Sequence, residues 1–216
     1  LVVYRDESVK TTLLYRLTDD EWEEQILEDL ENIQSLGIEI ESVTSDGGRS
    51  IIKAARKACP HTVRQRCLAH IQRECLTWIT KHPQSDAGRE LRGLVRLICA
   101  IKTHNDRLQW TVDFKKWCEK YRDYLEEKTF NEESHAEWYT HKMVRRAYVH
   151  IKKALPDMFH FLDNPKIPKT TNALESFFGH LKGNMTLHRG LSYEHCQNYV
   201  KWYLFFRNKH IKDNGE

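Results

Sequence analysis

The sequence has no apolar run near the roughly 18–20 residues that a membrane-spanning helix requires, which argues against a membrane role. No charged-then-apolar leader opens it, so nothing points to secretion. Internal repeats and low-complexity tracts are also missing. Nor is there a large excess of charge of one sign. Lys and Arg number 34 and charged residues make up 30% of the chain, yet the formal net charge is only +3. That balance excludes a wholesale polycation and predicts a soluble surface that is basic in places. Six cysteines (Cys59, Cys67, Cys75, Cys99, Cys118, Cys196) are spread widely. With no secretory signal to support disulfides, they read as reduced thiols of an intracellular protein, in cytoplasm or nucleoid, or in the nucleus of a eukaryote. Leu1 is not a natural start, so the chain is expected to be a fragment of something longer.

What is present is an α/β pattern. At 216 residues the chain can bury one substantial core with room for an inserted subdomain. Residues 1–4 and 11–17 read as two strands joined by a polar turn. Thr18 to Glu21 supplies a cap and first-turn acids for a helix carrying Ile26, Leu30 and Ile33, which Gly37 ends. A β-branched strand (Ile38, Ile40, Val43) then ends on Asp46, followed at once by Gly47-Gly48. A helix over 50–57 and a short strand over 62–66 lead to Cys67-x-x-His70. Beyond His70 the strand signal disappears. Helical spacing runs over 71–81, 87–101, 108–125 and 137–155, and Pro156 stops the last of these. After the Pro-containing stretch 164–169, a helix opens at Asn172 and is broken by Gly183-Asn184. A final aromatic-rich helix covers 192–208, with Trp202, Tyr203 and Phe206 read as core rather than base-stacking residues.

The stretch Asp46-Gly47, then Gln65-Arg66-Cys67-x-x-His70-x-x-Arg73, resembles the second-aspartate block of Mutator-like DDE transposases and their bacterial insertion-sequence relatives. Downstream, Thr170-Thr171-Asn172-x-x-Glu175 is similar to the segment carrying the family's final acidic residue. The resemblance implies an RNase H-like core with an all-helical insertion. It places the N-terminal part of the core at 1–82, the insertion at 83–160 and the C-terminal helices of the core at 161–216. It further implies cleavage and joining of DNA by phosphoryl transfer with Mg²⁺ or Mn²⁺. Asp46 and Glu175 would be the catalytic, metal-holding carboxylates, supported by Cys67, His70 and Asn172. The first acidic residue of the family is expected upstream of Leu1, and Asp6 is the only early alternative.

Each residue also has a plainer reading. An Asp before Gly-Gly is often turn chemistry, and Glu175, three residues after Asn172, fits the N3 acid of a capping box. Cys67 and His70 could be a buried thiol and a satisfied core histidine. They could also be half of a zinc site with Cys59 and His61, although a one-residue Cys-x-His gap is tight for zinc. Basic residues gather around the acidic motifs, and Arg64, Arg66, Arg73, Lys182, His188 and Arg189 are the candidates for phosphate contact. Lys142, Arg145, Arg146, Lys152 and Lys153 could extend that surface. The expected partners are transposon ends and target DNA, with a homodimer or larger assembly, since two ends must be brought together. The rival readings are a catalytically incomplete DNA-binding remnant and a zinc-dependent DNA-binding module.

Overall fold

In the computed structural model, residues 1–188 and 190–214 are described, with side chains as far as 209. The chain forms two compact units, Leu1–Arg64 with Thr171–Glu216, and Gln65–Thr170. Among the described residues both are mixed α/β and predominantly helical, with strands only in two-stranded ribbons. No helix among the described residues is long and apolar enough to cross a membrane.

The first unit opens with an antiparallel hairpin, β1 (Val2–Asp6) and β2 (Thr11–Arg16), in the register Val3↔Tyr15 with a bulge at Tyr4/Arg5. The turn between the strands is locked by Asp6, whose Oδ1 accepts from the Ser8 backbone N–H at 2.8 Å and from the Ser8 hydroxyl at 2.6 Å. Helix α1 (Glu23–Ser35) starts later than Thr18 to Glu21 suggested: Trp22 is its N-cap, and Glu23 and Glu24 are its first-turn acids. Its inner face buries Ile26, Leu30 and Ile33. It also buries Asp29, whose carboxylate takes Arg16 Nε at 2.9 Å and holds the guanidinium firmly in its charged form. Gly37, at φ +79°, turns the chain out of the helix.

A second ribbon joins β3 (Ser42–Ser45) and β4 (Val63–Arg66). Helix α2 (Arg49–Ala58) lies between them in sequence and packs Ala54 and Ala55 onto Ile26 and Leu30 of α1. Two C-terminal helices, α8 (Asn172–Leu187) and α9 (Tyr193–Asn214), complete this unit. They enclose Phe177, Leu181, Val200 and Leu204 together with Val3 of the hairpin. The side-chain amide of Asn208 on α9 accepts from Thr12 N–H at 3.0 Å and donates to Thr12 C=O at 2.9 Å.

The second unit contains α3 (Leu68–Ile79), α4 (Asp86–Leu97), α5 (His104–Lys120), the short α6 (Arg122–Glu126) and α7 (Lys142–Ala154). Its core includes Leu68, Ile71, Leu91, Val95, Ile98, Trp110, Phe114, Trp117, Ile151 and Met158. Trp110, Phe114 and Trp117 stack along α5 with centroids 5.3 and 6.1 Å apart. Each indole N–H is satisfied by a carbonyl of α4, Trp110 by Leu94 and Trp117 by Ala87, as buried Trp requires. Gln65, only 1% exposed, donates from Nε2 to the Arg66 and Met158 carbonyls at 2.7 and 2.8 Å and accepts from Phe161 N–H at 3.3 Å.

Three expectations are corrected. The stretch 83–160, expected to be all helical, is not: residues 128–139 form a hairpin, β5 (Lys128–Asn131) and β6 (Ala136–Tyr139), so the helix expected from 137 begins at Lys142. The alternation is short and mostly exposed, and the hairpin holds through its turn and cross-strand polar pairs. Asn131 Oδ1 accepts from Ser134 N–H, His135 takes φ +53°, and Lys128 pairs with Glu137 at 2.9 Å. Helix α8 passes through Gly183 to Leu187, because Leu181 before the glycine and Met185 after it both pack on the core. On α9, Trp202 and Phe206 are exposed, not core; of the three aromatics read as buried, only Tyr203 packs inward.

Two measurements check this packing. Gln65→Leu keeps the volume but strands the Met158 carbonyl and the Phe161 N–H, so unfolding in urea should show a loss of about 2–4 kcal/mol; an unchanged midpoint would show that these bonds do not matter. His150, beside Glu74 at 3.2 Å, has its pKa lowered by burial and by Arg66, Arg146 and Lys153, against the opposing pull of Glu74. The unfolded chain therefore takes up this proton at higher pH than the folded one. Stability should fall as pH drops through about 6.5. His150→Gln should flatten that part of the pH profile, and an identical slope in both proteins would contradict the assignment.

Candidate active site

Asp46 stands immediately beyond β3, exposed at the tip of the strand. Its position is set by the backbone. Oδ1 accepts from Gly48 N–H at 2.9 Å, and Gly47 takes φ +88°, a left-handed conformation that favours glycine. Gly48 is the N-cap of α2, so the carboxylate sits at the positive end of that helix. The turn reading of Asp46 is therefore correct as structure, and it fixes where an exposed carboxylate is presented.

Glu175 lies in the first turn of α8 and is half-buried, with Oε1 shielded from solvent. The N-cap of this helix is Thr171 and Asn172 is its first residue, so Glu175 is the fourth helical residue. That register removes the capping-box reading, which needs the acid at the third position. Asn172 is exposed. Asp46 and Glu175 both belong to the first unit. Asp6 does too, but its carboxylate is engaged in the hairpin turn, and the bonds from Ser8 pull its pKa below the usual range.

Cys67 and His70 belong to the second unit. Cys67 is the N-cap of α3 and fully buried, and its Sγ lies 3.2 Å from His70 Nδ1. Cys59 and His61, the other half of the zinc reading, belong to the first unit, where burial pushes the Cys59 thiol pKa up. Among the described residues no group of three or more His, Cys, Asp or Glu is arranged to hold a metal.

The basic candidates divide by exposure. Arg73, Lys182 and His188 are exposed, and Arg64 is half-buried with Nη1 donating to the Thr62 carbonyl at 3.3 Å. Arg66 is only 8% exposed. Its Nε is shielded from solvent. Arg189 lies outside the described residues. Of the further cations, Lys142, Arg146, Lys152 and Lys153 on α7 are exposed. Arg145 is taken up by the Leu125 carbonyl and by the Tyr139 ring, 3.5 Å from its centroid. The exposed aromatics of α9, Trp202, Phe205 and Phe206, leave no mark in the sequence that tells them from core residues. Val200, Leu204 and Tyr203 already fill one side of that helix, which leaves positions 202, 205 and 206 on the other.

The Asp46 turn can be tested by paired substitutions. Gly47→Ala must force an L side chain to φ near +88° and should cost about 1–2 kcal/mol. A Cβ on Gly48 would meet Asp46 Oδ1 at 3.5 Å, an ordinary contact, so Gly48→Ala should be nearly neutral. Equal costs in thermal melts would show that the turn geometry is not what fixes this segment.

The model of the transposase IS66 family matches residues 20–177, a stretch that takes in Asp46, Cys67, His70 and Glu175. No curated protein and no solved structure matches.

Proposed function

The chain belongs to the transposase IS66 family, and on that premise we propose that it carries the catalytic part of a DDE-type enzyme that cuts donor DNA and joins the freed 3′ ends to target DNA. The observation that carries the reading is the family match, which runs continuously through both proposed carboxylates. In this reading residues 1–82 and 161–216 make up the catalytic core, of RNase H-like descent, and residues 83–160 its insertion. A Mutator-like kinship within the DDE enzymes would rest on the Asp46 and Cys67-x-x-His70 block alone.

Asp46 and Glu175 are the proposed holders of a divalent cation, Mg²⁺ or Mn²⁺. Both offer hard oxygen donors, and Mg²⁺ accepts one or two carboxylates while keeping waters and substrate phosphates. When bound, such an ion supplies Lewis-acid stabilisation of the charge that develops on the phosphoryl oxygens. The chain's own contribution is positioning. The Gly48 N–H orients Asp46, and the first turn of α8 carries Glu175. Cys67 and His70 are proposed to support the start of α3. Arg64, Arg73, Lys182, His188 and Arg189 are the proposed phosphate contacts; these would fix the DNA without reading its sequence. Assembly as a homodimer or larger complex is part of the same proposal, because two transposon ends must be handled together.

Calorimetric titration with Mn²⁺ tests the carboxylate pair. Asp46→Asn keeps an Oδ1 acceptor for Gly48 N–H and should leave the melting temperature unchanged. It should still weaken Mn²⁺ binding by roughly tenfold or more, as should Glu175→Gln, each removing one anionic donor. Binding that is indifferent to both changes would leave Asp46 a turn residue and Glu175 a helix residue, and the chain a DNA-binding remnant.

A further inference from the structure

Helix α9 has two unlike sides. Val200 and Leu204 point into the core, with Tyr199 and Tyr203 beside them. The opposite side presents Trp202, Phe205 and Phe206, which are 59%, 56% and 58% exposed. The three rings form one continuous cluster. Trp202 and Phe206, one turn apart, stack with centroids 5.6 Å apart and planes 24° apart, while Phe205 meets both edge-on at 5.9 and 5.4 Å. Helical spacing puts Asn198 and Lys209 on the same side and Lys201 at its margin, and all three are exposed. No Asp or Glu occurs between Glu194 and Asp213.

We propose that this face of α9 is a stacking platform for single-stranded DNA, with Trp202 and Phe206 taking unpaired bases and Lys201 and Lys209 the flanking phosphates. Only the choice of DNA over RNA rests on the transposase reading; the rest follows from the surface. Exposed rings beside cations and without anions suit a polyanion whose bases offer flat π-faces. Duplex DNA keeps its bases stacked internally and offers the rings nothing to stack on. A second copy of the chain would bring Lys201 and Lys209 to the contact again, with no acid of α9 between Glu194 and Asp213 to receive them. Base stacking needs no sequence readout, so the platform should bind different unpaired sequences with similar affinity.

The test uses the 216-residue chain and three fluorescein-labelled probes: a 12-nucleotide oligo(dT), an abasic oligonucleotide of the same length, and a duplex. Anisotropy should show the oligo(dT) bound at least roughly tenfold more tightly than the abasic strand. Trp202→Ala and Phe206→Ala should each remove roughly fivefold or more of that affinity, by the usual worth of one aromatic–base stack. Both should leave duplex binding unchanged. Lys201→Gln with Lys209→Gln should flatten the salt dependence of oligo(dT) binding. The comparison of oligo(dT) with the abasic strand needs no variant, so it decides even where a substitution disturbs folding. Equal affinity for the two strands overturns the platform. So does a wild-type dimer in sedimentation that Trp202→Ala converts to monomer, which would assign the face to a second copy. Neither result touches the transposase reading while duplex binding persists; loss of binding to all three probes would count against both.

Discussion

The side-chain amide of Gln65 is the constraint on which the second unit depends. An amide this deeply buried is tolerated only when its polar atoms are partnered. Here its donors meet the Arg66 and Met158 carbonyls and its acceptor meets the Phe161 N–H. These bonds hold the start of the unit against the segment that follows α7. A few residues on, Leu68 N–H donates to the Lys169 carbonyl, and the Lys169 ammonium reaches the Cys99 carbonyl at 3.1 Å. The chain therefore enters and leaves this unit at one place. Five helices and a hairpin are gathered into a closed loop without a covalent cross-link, and the aromatic stack of α5 packs within it.

Sequence periodicity was legible where a helix has one wet side and one dry side. Ile26, Leu30 and Ile33, or Trp110, Phe114 and Trp117, repeat at helical spacing and are all buried. It failed on α9 for a physical reason: that helix is apolar on both sides, so spacing alone could not say which ring faces the core. The β5–β6 hairpin was invisible because its stability lies in a turn and in cross-strand polar pairs, which leave no apolar alternation to read. Gly183 misled in the opposite direction. Its helix propensity argues for a break, but the buried contacts of Leu181 and the packing of Met185 outweigh a cost of about 1 kcal/mol.

The element ends that carry the proposed carboxylates leave marks in the sequence. Asp46 before two glycines announced a strand tip and a tight turn, and both are present. The register of α8 was not readable to one residue, and that single residue takes Glu175 out of the capping-box position. Turn chemistry and function need not compete at Asp46: a carboxylate already oriented by a backbone N–H loses less freedom when it engages a ligand. Exposure was the quantity sequence could not supply. It removes Arg66 from the surface and brings Trp202 onto it.

The Asn208 amide on the hairpin bears on how this protein keeps to itself. A two-stranded ribbon has an outer edge whose N–H and C=O groups can recruit another strand, from a neighbour or from a partly unfolded copy. At Thr12, close to the bulge, both of these groups are already occupied by a side chain from the far end of the chain. A strand adding along that edge would first have to displace the amide and then accommodate the bulge. One asparagine of the last helix thus acts as a guard against runaway strand addition, and it does so only once that helix has docked.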